Sequence, residues 1–434
     1  MGPRRVGKTV MIHHAIQALL SEETDPKSIC YLSVDNPIYN TLTLENFLHA
    51  YAHTSGVDID KQQLYVFFDE IQYMRNWETQ LKAIVDSRPN IKAIVSGSAA
   101  AALKLKSDES GAGRFTDLLL PPLTFYEYLE LINEGHLVNK EKYQTENIER
   151  LNEMFVYYLN FGGYPEVVFS PQIQADPARF IKSDIIDKVL LRDLPSLYGI
   201  NDIPELNYLF TTLAFNTAQE VSLEGLSKHS GVAKNTIKRY IEYLQAAFLI
   251  QVVHRVDINS KRFHRANYFK VYLTNPSMRA ALFSPVQEND EPIPHLTETA
   301  IFAQWFHSNA PLHYARWKDG EVDIIMLHLR NQSPLWAMEV KWSDRYCESP
   351  GELHSLVEYC KENQLGEAWV TSKSKSVDCQ VKGINLHFIP ASVYTYMLGY
   401  TLIRQKISHA FPNPGETEKE TEDSTKESDE DTAE

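Results

Sequence analysis

The sequence is poor in cysteine, with four in 434 residues. Cys30, Cys347, Cys360 and Cys379 form no pair separated by two residues. Scattered cysteines in a chain of this length do not indicate a disulfide framework or a cysteine zinc site. Their scarcity therefore predicts a reduced, cytoplasmic protein in which these residues are structural.

Long hydrophobic runs are also lacking. No apolar run reaches 18 residues, so the sequence predicts no membrane-spanning helix. No apolar stretch typical of a signal peptide follows Met1, and Val6 stands where N-myristoylation requires serine or threonine. We therefore expect no contact with a membrane.

Positive charge is scarce, because 42 lysines and arginines face 57 aspartates and glutamates and the net charge is -15. The last twenty residues hold ten acidic residues and two lysines, so the rest of the chain is only mildly acidic. This balance excludes a broad basic surface for nucleic acid, and such a contact would need a local patch. Residues 411–434 contain too little apolar surface to offset the entropy of ordering, and we expect them to be disordered.

The first nine residues contain the pattern GxxxxGK[ST], which is typical of a phosphate-binding loop. In such a loop glycines permit a tight turn, and consecutive backbone N–H groups point toward phosphate oxygens. Lys8 would reach the outer phosphates of a nucleotide, and the hydroxyl of Thr9 would bind Mg²⁺. The predicted nucleotide-binding residues are Gly2, Pro3, Arg4, Arg5, Val6, Gly7, Lys8 and Thr9.

A phosphate-binding loop normally follows a buried strand, but only Met1 precedes this pattern. Two interpretations follow. Either the match is accidental, or the first strand of a sheet is missing and Met1 is its last apolar residue. The sequence that follows favours the second interpretation, so we expect a parallel sheet whose first strand is missing.

Three short apolar runs follow the loop, at residues 28–34, 64–68 and 91–95. Continuous runs of this length are typical of strands buried on both faces of a parallel sheet, whose carboxyl edge binds ligands. Asp69 and Glu70 follow the second run. Asp69 would hold Mg²⁺, and Glu70 would orient or deprotonate the attacking water. The alternative is that both are solvated carboxylates at the end of a strand.

Two more residues extend this catalytic hypothesis. Ser98 follows the third run and could contact the outermost phosphate or the attacking water, although a turn residue is the alternative. Arg114 follows a small, polar stretch and could bring positive charge to the phosphates, from its own chain or from a neighbouring copy. The alternative for Arg114 is an ordinary surface arginine.

The middle of the chain predicts a helical region and then a winged-helix unit. Residues 222–249 contain a helix, a turn at Gly231 and a second helix, and residues 253–270 are typical of a β-hairpin. This unit would touch DNA chiefly through phosphate contacts. The alternative is a packing or protein-contact module, because a fold does not determine a function. The basic residues of the unit are Lys234, Lys238, Arg239, Lys261, Arg262 and Arg265.

The last third of the sequence places carboxylates and a lysine on successive predicted strands. Asp323 lies in one strand, and Glu339 and Lys341 share a face of the next because side chains alternate along a strand. Two carboxylates can hold Mg²⁺ while a lysine helps to activate water. The arrangement resembles the PD-(D/E)xK nuclease pattern, with Glu298 as the helix carboxylate, where Thr297 and Glu298 start a helix at 299–306. The alternative is a solvated strand face.

The order of the motifs is more specific than any one of them. Their strings run from residue 1 to about residue 390 and include GPRRVGKT, LYVFFDEIQ, IVSGSAA, LPPLTFYEYL, YLNFGGYPEVV, VYLTNPSMRAAL, EVDII and MEVKW. In this order they resemble prokaryotic AAA-type P-loop ATPases that carry a C-terminal domain of unknown function, with a winged helix and a restriction-endonuclease-like core. The resemblance implies ATP binding.

We therefore expect an α/β protein, a slow Mg²⁺-dependent ATPase switch coupled to a winged-helix and a nuclease-like domain. The rival hypothesis is a metal-dependent nuclease acting on nucleic acid and regulated by ATP, and a third is a binding module alone. Homo-oligomer formation is left open. The predicted segments are a P-loop ATPase domain at 1–130, a helical lid or connector at 131–215, a winged-helix-like unit at 216–285, an endonuclease-like α/β domain at 286–400 and a tail at 411–434.

Overall fold

A computed structural model describes residues 1–39, 41–97, 115–116, 118–261, 267–308 and 310–410. Ser98, Arg114, Arg262, Arg265 and the acidic tail lie outside the described residues. Within the described ranges, no helix combines the length and the apolar character needed to cross a bilayer.

A parallel sheet forms the N-terminal part, as the apolar runs predict. Its strands are β1 (Ile29–Ser33), β2 (Leu64–Asp69) and β3 (Ile91–Val95), and β2 lies between the other two. Both neighbours run parallel to β2, with Ser33 opposite Asp69. Five of the six residues of β2 are buried, which explains its continuous apolar run. The helices of this part are α1 (Lys8–Ser21), α2 (Leu44–Ser55) and α3 (Trp77–Ser87).

A helical region follows the first sheet. It includes two consecutive π-helical segments, Ala178–Asp187 and Val189–Asp193, and π-helix is rare in proteins and frequent at functional sites. The α-helices of this region are α4 (Phe125–Leu131), α5 (Ile148–Phe161), α6 (Pro165–Phe169), α7 (Pro171–Ala175), α8 (Leu194–Tyr198) and α9 (Ile203–Phe215).

Short 3-10 turns occur along the described chain, at Pro26–Ser28, Pro37–Tyr39, Ile71–Tyr73, Gly135–Leu137 and Pro350–Glu352.

Two helices lie where the sequence predicts a helix-turn-helix unit. Helix α10 (Leu223–Ser230) ends at Gly231, whose φ of 75° suits glycine, and α11 (Lys234–Ala246) follows. The hairpin strands are β5 (Ile250–Val256) and β6 (Tyr268–Leu273), which pair antiparallel. A short strand, β4 (Glu220–Ser222), pairs with the far side of β6.

The hairpin does not stand apart as a wing. Strand β5 pairs in parallel with β7 (Leu312–Trp317), so β4, β5 and β6 belong to the same nine-stranded sheet as the strands after residue 285. The prediction of separate units at 216–285 and 286–400 therefore needs correction, because backbone hydrogen bonds cross that boundary.

The remaining elements complete this second sheet and its helical cover. The strands are β8 (Gly320–Leu327), β9 (Pro334–Glu339), β10 (Glu367–Ser372), β11 (Val377–Val381) and β12 (Ile384–Pro390). The strand order of the sheet is β11-β12-β10-β9-β8-β7-β5-β6-β4. The helices are α12 (Ser277–Leu282), α13 (Ile293–Trp305), α14 (Arg345–Glu348), α15 (His354–Glu362) and α16 (Ala391–Ala410).

Two predicted boundaries are moved by packing. Helix α13 begins at Ile293, so Glu298 lies inside the helix and not at its start. The predicted first domain, 1–130, includes most of helix α4. In the structure, however, Phe125 on α4 packs with Phe155 on α5 and Tyr396 on α16. The predicted boundary at residue 130 therefore falls within a helix that packs against the C-terminal half.

His307 gives this half of the protein a specific sensitivity to acid. It is 6% exposed, its Nε2 lies 2.9 Å from the carbonyl oxygen of Pro122, and burial beside Lys406 lowers its pKa to about 4. The unfolded chain therefore binds more protons between pH 6.5 and pH 4, so the free energy of unfolding falls as pH falls through that range. We expect about 2 kcal/mol of this loss between pH 7 and pH 5.

Urea titrations of His307→Gln at both pH values test this expectation, because glutamine does not titrate. The pH-dependent loss should shrink in His307→Gln and persist in His354→Gln, which changes an exposed histidine. Equal losses in the two variants would contradict the role of His307.

Candidate functional site

The structure explains why two positions of the loop are occupied by glycine. Gly7 adopts a left-handed conformation, with φ 96°, immediately before α1 begins at Lys8. A side chain at Gly2 would collide with the carbonyl oxygen of Leu120. The backbone N–H of Leu120 also donates to the carbonyl oxygen of Met1, at 2.7 Å. The loop is therefore held against residues 118–120, and its end meets the N-terminus of a helix, where anions are favoured.

Lys8 lies beneath this loop and is 7% exposed. Its Nζ donates to the carbonyl oxygen of Gly2, at 3.1 Å, and to that of Pro3. Burial disfavours the ammonium form and lowers the pKa of Lys8 to about 8, although Glu70 and Asp69 favour that form. Two neutral carbonyl oxygens compensate a buried ammonium poorly, so the site favours the entry of an anion.

Asp69 is 2% exposed and accepts hydrogen bonds from several neighbours. The hydroxyl of Thr9 donates to its Oδ2 at 2.7 Å, and the hydroxyl of Tyr31 donates to the same oxygen at 3.2 Å. The hydroxyl of Ser96 and the backbone N–H of Glu70 donate to Oδ1. The structure thus brings together Thr9 and Asp69, which are sixty residues apart, and a hydroxyl beside a carboxylate suits Mg²⁺.

Glu70 follows Asp69 in a left-handed conformation, with φ 60°. This uncommon backbone geometry turns the chain at the end of β2, and the next residue, Ile71, donates to the carbonyl oxygen of Ser96 at 2.9 Å. The side chain of Glu70 is half-buried and accepts a hydrogen bond from Nε2 of Gln72 at 2.5 Å. Strained backbone of this kind clusters at functional sites, and a carboxylate there has the chemistry of a general base.

Sequence reasoning missed Ser96 and Tyr31 as partners of Asp69. Ser96 is the first residue after β3, whereas the predicted Ser98 lies outside the described residues. Tyr31 lies in β1, and burial followed by the nearby charge of Asp69 raises its pKa to about 12. The signal for Ser96 was its place directly after an apolar run, where the carboxyl edge of the sheet begins.

The two arginines of the loop contact the helical region. Arg4 donates from Nε and Nη2 to the carboxylate of Asp193, at 2.8 and 3.0 Å. Burial opposes the charge of Arg4, but the hydrogen bonds and charge of Asp193 hold its pKa above the usual value. Arg5 forms exposed ion pairs with Glu166, at 3.2 Å, and Asp184, at 3.5 Å.

A second cluster of charges lies on the nine-stranded sheet. Asp323 on β8, Glu339 on β9, Lys341 just after β9 and Glu298 on α13 lie close together. Lys341 Nζ lies 2.6 Å from Glu339 Oε1 and 3.8 Å from Asp323 Oδ2. An open cavity of about 640 Å³ adjoins the cluster, and its lining includes Glu298, Asp323 and Lys341.

Lys270 on β6 was not predicted and lies inside this cluster. Its side chain is 4% exposed, and its Nζ is 2.8 Å from Glu321, 3.0 Å from Glu298 and 3.3 Å from Asp323. Within the ranges that the structure describes, no group of three or more histidine, cysteine or acidic side chains is arranged to hold a metal ion. The ammonium of Lys270 compensates the carboxylates here, so they do not fit a divalent ion in this arrangement. A lysine within the apolar stretch of β6 was the available signal.

The pKa values of the carboxylates follow from burial and from the two lysines. Burial raises the pKa of Glu298 to about 7, although Lys270 opposes this shift. Burial and the charge of Asp323 raise the pKa of Glu339 to about 8, against the influence of Lys341. For Asp323, burial is outweighed by Lys270 and Lys341, which hold its pKa below the usual value. The cluster therefore contains carboxyl groups that retain protons near neutral pH.

The predicted basic patch on α11 is partly compensated by acidic neighbours. Lys234 lies 3.4 Å from Glu224, and Lys238 lies 3.9 Å from Glu242. All four side chains are more than half exposed, so these pairs are weak and screened by salt. A contact of this helix with DNA stays a prediction.

The sequence has relatives among known proteins. It is 22% identical over 400 residues to an uncharacterized protein of Methanocaldococcus jannaschii, covering 91% of this chain and 81% of the relative. It is 26% identical over 278 residues to an uncharacterized protein of Haemophilus influenzae, covering 62% and 66%. Among solved structures, the Aeropyrum pernix ORC2 protein in its ADP form covers 58% of this chain and 79% of its own, with 15% identity and a TM-score of 0.30. That score is too low to support an inference.

Two segments of the chain match known sequence families. Residues 152–289 match a family described only as a domain of unknown function, DUF8612. This match includes β4, β5 and β6 but ends before the other strands of their sheet. Residues 1–129 match the family described as an AAA domain, so this part of the chain is similar to AAA-type domains.

Proposed function

We propose that this protein is a slow, Mg²⁺-dependent ATPase whose nucleotide state acts as a switch on the remainder of the chain. The observation that carries the proposal is the hydrogen bond of 2.7 Å from the hydroxyl of Thr9 to Asp69, above the buried Lys8. A hydroxyl, a carboxylate and an ammonium meet there at the N-terminus of a helix, which is the chemistry that Mg²⁺ and a triphosphate need.

In this proposal the residues from Gly2 to Thr9 bind the phosphates. Lys8 exchanges its contacts with the carbonyl oxygens of Gly2 and Pro3 for phosphate oxygens. Thr9 and Asp69 would hold Mg²⁺, which would supply positive charge to stabilise the phosphates. Glu70 orients the attacking water and accepts its proton. Ser98 and Arg114 are proposed to act on the outermost phosphate, Arg114 either in its own chain or in a neighbouring copy of a homo-oligomer.

The test of this function is nucleotide binding to Lys8→Ala. The variant removes the buried cation of the loop, so we expect the affinity for ATP to fall by about 100-fold. Calorimetric titration with Mg²⁺ and ATP measures the change. Lys27→Ala, which changes an exposed lysine, is the control and should bind as the unmodified chain does. Equal ATP affinity in Lys8→Ala and the unmodified chain would refute the assignment.

The alternative is a metal-dependent nuclease acting on nucleic acid and regulated by ATP. Its support is the convergence of Glu298, Asp323, Glu339 and Lys341 beside an open cavity. Against it stands Lys270, which already pairs with Glu298 and Asp323. Cleavage of DNA or RNA that requires Mg²⁺ or Mn²⁺ and is lost in Lys341→Ala would support the alternative.

Two further proposals concern the setting of this activity. The helix-turn-helix elements, with Lys234, Lys238 and Arg239 on α11, are proposed as a phosphate-contacting surface for DNA. The protein is proposed to act in the cytoplasm, since all four cysteines are free and Cys30 and Cys360 are buried.

A further inference from the structure

The ion pair between Arg4 and Asp193 is one of the most enclosed charge contacts at the phosphate-binding loop. The side chains are 14% and 7% exposed, and the carboxylate receives two parallel hydrogen bonds from the guanidinium. Such a bidentate contact fixes the plane of the guanidinium as well as its position. A buried ion pair contributes little net stability, because desolvation offsets the attraction between its charges. Its geometry is therefore a better guide to its role than its strength.

Arg4 also contacts the turn that follows Asp69 and Glu70. Its Nη2 donates to the hydroxyl of Tyr73 at 3.4 Å, and Tyr73 ends the 3-10 turn that follows Glu70. The guanidinium of Arg192, next to Asp193, lies 5.6 Å from the centre of the Tyr73 ring. Arg4 thus lies between the end of β2 and the second π-helical segment, with contacts that leave its orientation little freedom.

The neighbouring pairs of the loop do not hold a side chain in this way. Arg5 is 40% exposed, and its partners Glu166 and Asp184 are 49% and 34% exposed. Exposed pairs of this kind are screened by salt and contribute little. Asp193 is therefore the residue of the helical region that orients a loop side chain.

The guanidinium of Arg4 has N–H groups that its contacts with Asp193 and Tyr73 do not use. Arginine has five N–H groups, and the contacts with Asp193 and Tyr73 use the one on Nε and those on Nη2. For the two N–H groups of Nη1, the described part of the chain supplies no acceptor. A phosphate oxygen of a bound nucleotide is an acceptor of suitable charge for them.

We propose that Asp193 is a positioning residue of the nucleotide site, which fixes Arg4 so that the Nη1 groups of its guanidinium bind a phosphate of ATP. This inference rests on the ATP binding proposed above and adds a residue from outside the AAA-type domain. Arg4 contacts the nucleotide, and Asp193 acts through Arg4. The contact of Arg4 with a phosphate stabilises the bound substrate and the transition state equally. It therefore affects ATP binding more than the chemical step.

A double-mutant cycle in the full-length chain tests this inference. ATP affinity is measured by calorimetry for Arg4→Ala, Asp193→Asn and the double variant. We expect each single change to weaken binding about tenfold and the double variant to bind no more weakly than Arg4→Ala. In steady-state hydrolysis, Asp193→Asn should raise KM about tenfold and change kcat less than twofold. Asp193→Glu keeps the negative charge and should restore most of the affinity.

The control is Asp187→Asn in the first π-helical segment, which should leave ATP affinity and turnover unchanged. Equal melting temperatures of Asp193→Asn and the unmodified chain establish that the variant is folded. If Asp193→Asn is unstable, ATP affinity is compared between Asp193→Glu and the unmodified chain instead. Unchanged ATP affinity in Asp193→Asn, or losses that multiply in the double variant, would overturn the inference alone. Failure of the unmodified chain to bind ATP would overturn the proposed function and this inference with it.

Discussion

Replacing Glu70 with glutamine is expected to leave ATP affinity within about twofold of the unmodified chain and to slow hydrolysis by at least about 100-fold. Glutamine keeps the size of the side chain and an oxygen that can accept the hydrogen bond from Gln72. It cannot accept a proton from the attacking water. Binding should therefore survive while the chemical step fails, and phosphate release under single-turnover conditions separates the two.

Glu22→Gln is the control for this experiment, because Glu22 is an exposed residue just after α1. It removes the same charge from the same part of the chain and should hydrolyse ATP at the unmodified rate. If Glu70→Gln also retained that rate, Glu70 would lose its proposed role, whereas the binding role of Lys8 would stand.

Lys270→Met is expected to lower the free energy of unfolding by about 3–5 kcal/mol. Methionine preserves much of the volume of the side chain but leaves Glu298, Glu321 and Asp323 without the cation among them. Removing one partner from a buried ionic cluster leaves uncompensated charge, which is the costly case. Urea unfolding at pH 7, followed by circular dichroism, measures the loss.

A second change distinguishes charge from packing at this position. Adding Glu298→Gln to Lys270→Met removes a carboxylate that, among the described residues, forms its ion pair with Lys270, so the double variant should be more stable than Lys270→Met alone. Lys61→Met, at a lysine that is 83% exposed, is the control and should change stability by less than about 0.5 kcal/mol. If the double variant were less stable than Lys270→Met, the cluster would not be governed by its charge balance.

The N-terminal site was largely predictable because its constraints are short in range. A glycine-rich loop before a helix, and an aspartate at the end of a buried strand, each follow from local pattern. Parallel strands share a carboxyl edge, which is why Thr9 and Asp69 meet although sixty residues separate them. The choice of Ser96 as a partner of Asp69 depends on where the chain leaves β3, and strand ends are poorly defined by sequence.

The second cluster shows where local pattern stops being informative. In the structure Lys341 contacts Glu339 and lies 3.8 Å from Asp323, although β9 ends at Glu339 and Lys341 is not part of the strand. The presence of Lys270 depends on the pairing of β5 with β7, which lies far away in sequence. The helix-turn-helix pattern predicted a wing separate from the following strands, so it gave no indication that β5 pairs with β7. The elements were thus predictable, but their assignment to one sheet was not.

The packing of α4 against α16 has a consequence for the order in which the protein can be assembled. Phe125 reaches its fully buried position only when Tyr396, near the end of the described chain, has been synthesised. At about 5–20 residues per second, the intervening polypeptide takes roughly 13–50 seconds to emerge from the ribosome. During that time Phe155 can already cover part of the apolar face of α4, but the part that packs against α16 stays open to solvent and to chaperones.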